Sequence, residues 1–71
     1  MKRWIAIGDF IIDPEYFNIF YIEKVPGAND YEWHIFGEDK NQTSWRFMEL
    51  NFRYEAEAIL DGIKQQLLQD Y

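Results

Sequence analysis

His34 is the only histidine of the chain, and it is the residue type that can exchange a proton near neutral pH. Glu32, two positions before it, and Glu23, on the preceding strand-like segment, stand where a carboxylate could orient its imidazole. A general base has that form. No cysteine, no nucleophile-elbow turn and no glycine-rich cradle accompanies the set, so a nucleophile and a substrate seat are both missing from the pattern. A packed histidine beside Tyr21 is the simpler reading, no catalytic residue is assigned, and enzyme activity is not expected. Asp9, Asp13 and Glu15 form a second group, three carboxylates within seven positions, which is the chemistry of a hard-cation site. Their spacing is not that of an EF-hand loop, and Asp13 has a sufficient role capping the turn that Pro14 starts. No metal and no cofactor is expected.

Charge offers a third chemistry. The chain holds 13 acids against 7 bases, a net charge of -6. Glu57 and Asp61 lie one helical turn apart, about 6 Å along the axis, while Glu38, Asp39, Asp9, Asp13 and Glu15 fall in segments that read as loops. Such an acidic surface can imitate a row of phosphates and occupy the groove of a basic, nucleic-acid-binding partner, as small inhibitors of phage and mobile-element type do. The same balance opposes direct nucleic-acid binding, because phosphate contacts supply most of that affinity. Stacking of a single strand on Tyr21 and Phe36, with Arg46 beside them and Lys2, Arg3 and Lys24 nearby, is therefore the second reading.

The elements that must carry these residues are legible from pattern. A chain of 71 residues is one small domain spanning residues 1–71, and its 20% aromatic content excludes disorder. With no cysteine and one histidine, neither a disulfide nor a structural zinc of the Cys/His kind is expected to supplement so small a core, which leaves aromatic packing and association. The N-terminal residues lack the apolar stretch of a signal peptide, and no segment reaches membrane-spanning length, so a cytoplasmic protein is expected.

Aromatic and β-branched runs predict strands over residues 3–7, 10–12, 18–25, 30–36 and 42–50. After Phe52 the period turns helical. Ala56, Ile59, Leu60, Ile63 and Leu67 share one stripe of a helix over residues 53–69, with Gly62 inside it. The class is α+β, an antiparallel meander of four to five strands with one C-terminal amphipathic helix on one face. Pairing Val25 with Asp30 and Phe36 with Gln42 sets Tyr21 opposite His34 and Trp33 opposite Trp45. The helix-covered face is then Phe20, Ile22, Tyr31, Trp33, Ile35, Trp45 and Phe47. Leu50 is out of phase with Phe47, which places a bulge near Met48.

The opposite face carries Ile19, Tyr21, His34, Phe36, Arg46 and Met48 with a rim of Glu23 and Glu32. One helix cannot cover both sides of a sheet, so this face is the expected binding surface. A protein partner, most simply a second copy in a homodimer, is expected to cover it, unless the sheet curls into a small barrel.

Overall fold

The computed structural model describes residues 4–68. Lys2 and Arg3, named above, and Gln69, the expected last residue of the helix, lie outside them. Strands β1 (Ile5–Ile7) and β2 (Phe10–Ile12) form a two-stranded antiparallel sheet. After a 3-10 turn, Pro14–Tyr16, strands β3 (Phe17–Pro26), β4 (Tyr31–Asp39) and β5 (Ser44–Leu50) form a three-stranded antiparallel sheet with β4 in the middle, and helix α1 (Arg53–Leu68) follows. The α+β class and the C-terminal helix stand as expected. The single meander does not: five strands divide into sheets of two and three.

The division is local chemistry. Gly8 takes φ 59° between β1 and β2, the positive φ that a type II′ hairpin needs at its first central residue. Asp13 Oδ1 then accepts the Glu15 N–H at 3.0 Å, and the Tyr16 N–H closes on the Asp13 carbonyl at 3.1 Å. Pro14 has no N–H to offer a ladder. The Tyr16 carbonyl instead accepts the Lys40 N–H at 3.0 Å, so the turn ties the chain to the β4–β5 loop rather than extending the first sheet.

Both hairpins of the larger sheet differ in register from expectation. Val25 pairs with Glu32 and Tyr21 with Phe36, two residues from the predicted pairing, so the two faces of β3 and β4 are preserved but Tyr21 no longer opposes His34. Phe36 pairs with Arg46 rather than Gln42, because β4 runs on through Gly37 and Glu38 to Asp39 instead of ending at Phe36. Asn18 is an extra residue in β3 and Phe47 an extra residue in β5. The second bulge lies one position before the predicted one, and the difference decides Met48. Met48 pairs with the fully buried Ile35 and packs on the core, so its expected place on the open face is overturned.

The core joins Ile35, Phe47, Ile5, Ile7, Ala56 and Ile63. The hairpin lies beside the helix: the Gln66 carboxamide accepts the Ala6 N–H and donates to the Ala6 carbonyl, each at 2.9 Å, satisfying the edge of β1 that β2 leaves unpaired. On α1 the stripe falls as predicted, with Ala56 and Ile63 buried and Ile59, Leu60 and Leu67 packed against them. A Cβ added at Gly62 meets nothing within 4 Å, so this glycine serves no close approach. Gly62→Ala should therefore raise stability by about 0.5–1 kcal/mol, visible as a higher urea midpoint. A lower midpoint would mean that the helix there is not regular.

Candidate functional site

Two surfaces of the described residues gather the exposed aromatic and charged side chains that bear on function. The first is the side of the three-stranded sheet opposite the core, on which no described element packs. Tyr21 and Phe36 stack across β3 and β4 with centroids 5.6 Å apart and planes 15° apart, Arg46 lies opposite Phe36, and Ile19 is exposed. His34 sits beside Phe36 at 6.1 Å and is only 6% exposed. Of the six residues expected to share this face, five do so and Met48 does not. The register brings Glu23 and Glu49 opposite His34 on its two neighbouring strands, while Glu32 reaches it along its own.

The second surface is a groove of about 480 Å³ where β2, the 3-10 turn and the start of β5 meet. Trp4, Phe10, Ile11, Tyr16 and Trp45 line it and are between 45% and 73% exposed. The Phe47 ring, edge-on to Phe10 at 5.4 Å and to Phe17 at 5.6 Å, forms part of the lining. Sequence reasoning assigned Trp45 to the helix-covered face. It does lie on that side, opposite Gly37, but beyond the reach of the helix, and Tyr31 is similarly exposed at the far end of β4. The groove has one signal in the sequence: Phe10-Ile11-Ile12 is apolar at every position, and a three-residue strand in a two-stranded sheet cannot bury both its faces.

The acids do not form one row. Asp9 and Glu15 are exposed in the β1–β2 turn and the 3-10 turn, and Asp13 lines the groove. Glu38 belongs to β4 on the open face, not to a loop. Glu57 and Asp61 are exposed on α1, where Arg53 Nε donates to Glu57 at 2.9 Å and offsets part of that charge.

Asp39 is a correction. It is buried at the end of β4 rather than displayed, and its carboxylate organises the loop: Oδ1 accepts the Asn41 and Thr43 N–H groups at 2.8 and 2.9 Å, and Oδ2 accepts the Trp45 indole N–H at 2.8 Å. The Trp45 bond foremost, with those from Thr43 and Asn41, holds the Asp39 carboxyl below its ordinary range against the opposing effect of burial. A lowered folded-state value means that Asp39 contributes stability above the ordinary carboxyl range, and that this contribution is lost as pH falls through that range toward the lower folded value. The wild-type urea midpoint should therefore drop on acidification below about pH 4. Asp39→Asn should be less stable at neutral pH, since its amide meets the indole donor with another donor, and should lose less on acidification. An equal acid slope in both proteins would remove Asp39 as a cause.

No helix of the described residues is long and apolar enough to cross a membrane. Comparison with family models, with curated proteins and with solved structures finds no match to this chain, so its function rests on the chemistry of these two surfaces.

Proposed function

We propose that this chain is a small acidic, non-enzymatic protein-interaction module that takes an apolar anchor of a basic partner segment into the groove between β2, the 3-10 turn and β5. The observation that carries the reading is the groove's composition. Large aromatic and aliphatic side chains stand 45% to 73% exposed around a concavity of a volume typical of binding pockets. Among the described residues its lining includes two carboxylates, Asp13 and Asp39, and no basic side chain. With a net charge of -6, that chemistry favours a partner presenting Lys or Arg beside an aromatic or aliphatic residue.

Selection from a display library of random peptides tests this directly. Enriched sequences should combine an apolar anchor with basic neighbours, and their affinity should weaken as salt rises. Ile11→Asp should abolish capture and leave the circular dichroism spectrum unchanged, since Ile11 is the most exposed of the large apolar lining residues. Peptides that bind Ile11→Asp as well as wild type would remove the groove as the site. A dimer in light scattering that Ile11→Asp dissociates would give the groove to a second copy instead. Salt-sensitive binding of a labelled single strand would favour the nucleic-acid reading.

A further inference from the structure

The open sheet face holds a side-chain cluster independent of the groove. His34 Nε2 lies 3.1 Å from Glu32 Oε1 and 4.0 Å from Glu49 Oε1, and the three ligand atoms fall within 4.8 Å of one another. We propose that Glu32, His34 and Glu49 form a binding site for a divalent transition-metal ion of the Zn²⁺ class.

Three observations carry the proposal. The first is geometry. Two ligand atoms each about 2.1 Å from a common ion stand roughly 3.0 Å apart at a right angle and at most about 4.2 Å apart in line. The separations from Nε2 to both carboxylates, 3.1 and 4.0 Å, lie inside that interval, and the three ligand atoms fall within 4.8 Å of one another, so the Glu32 and Glu49 side chains have to close by torsional adjustment to reach a shared ion.

The second is the scaffold. Glu32 and His34 are two apart on β4 and so share a face, and Glu49 is the register partner of His34 on β5. Two of the three ligands therefore come from the central strand, and the imidazole is nine-tenths buried with its Nε2 directed at both acids.

The third is charge. Two carboxylates converge here, and among the described residues neither has a lysine or arginine partner. Lys24 lies over the rings of Tyr31 and Trp33 instead. A bound dication would supply the missing positive charge. One imidazole and two carboxylates suit a borderline cation that also holds water, and Glu23, opposite His34 on β3, is the nearest further carboxylate in register.

The test uses tag-free protein, and because His34 is the only histidine its imidazole resonances report the site without ambiguity. Titration with ZnSO₄ should shift the His34 ring signals with one equivalent bound, and should raise the melting temperature, because the folded form alone presents the cluster. Co²⁺ should bind in competition with Zn²⁺ and give visible absorption bands.

Glu49→Gln, at a half-exposed position that the core does not use, should weaken Zn²⁺ binding at least 10-fold with unchanged circular dichroism. Glu32→Gln should behave alike. His34 signals unmoved by excess Zn²⁺, or equal affinity in the wild type and the Glu49→Gln and Glu32→Gln variants, would overturn the proposal and assign any bound cation to the general acidic surface.

Discussion

Truncating Ile63 to Ala should lower the unfolding free energy by about 2–5 kcal/mol, a large part of what a domain of this size possesses. Ile63 is 2% exposed and lies in the cluster that joins the helix to Ile5, Ile7 and Ile35, so its removal leaves a cavity where hairpin, helix and sheet meet. The surrounding elements cannot easily close on that space, because β1 is tied to the helix by Gln66 and β4 is held on both sides by ladders. Glu57→Ala, on the outer surface of the same helix, removes one exposed ion pair with Arg53 and should cost no more than about 0.5 kcal/mol. Urea midpoints of the two variants measure the contrast. Equal shifts would show that the helix does not present Ile63 to the core.

Gly37→Ala should destabilise by about 1–3 kcal/mol through overpacking, against a gain of about 0.4–1 kcal/mol from the stiffer unfolded chain. A Cβ at Gly37 would stand 2.8 Å from Phe47, 3.0 Å from Phe17 and 3.1 Å from Phe20, all ring carbons. One ring could swing aside. Three rings packed on one another, with Phe17 and Phe20 at 5.3 Å and Phe17 and Phe47 at 5.6 Å, cannot all yield without opening the core. Strain should therefore win, and the urea midpoint should fall. Phe17→Leu in the Gly37→Ala background should recover part of the loss, a positive coupling that additive effects would not give. A midpoint that stays level or rises on Gly37→Ala would mean that the three rings do not close over this strand.

Gly37 also marks where reading the sequence stops. Flanked by Glu38, Asp39, Lys40 and Asn41, it reads as the start of a polar loop, yet it lies inside β4 because the Phe rings need a backbone without a Cβ beneath them. Those rings meet there only through the two bulges. Asn18 lets Phe17 and Phe20 share a face despite opposite parity, and Phe47 occupies the bulge of β5. The phase error between Phe47 and Leu50 predicts the second bulge to within one residue, and that residue sends Met48 inward. Nothing in the composition around Asn18 announces the first.

What the sequence determined by itself was local. The helix and its buried stripe follow from a 3.6-residue period, the turn at Asp13-Pro14 from a capping carboxylate and a missing N–H, and the alternation of β3 and β4 from a period of two. The two-residue offset of the β3–β4 hairpin from the expected pairing leaves that alternation intact. These are properties of neighbours in the chain, and side-chain shape enforces them wherever the segment lies. The tertiary structure decided what depends on distant partners: the burial of Asp39 beside the Trp45 indole, the groove around Phe10, Ile11 and Trp45, and the meeting of Glu32 and Glu49 at His34. Each rests on the pairing offset between strands, which the hydrophobic pattern fixes only as odd or even. Packing of the three phenylalanine rings over Gly37 then selects among the even offsets, and that selection sets which side chains stand together on the surface.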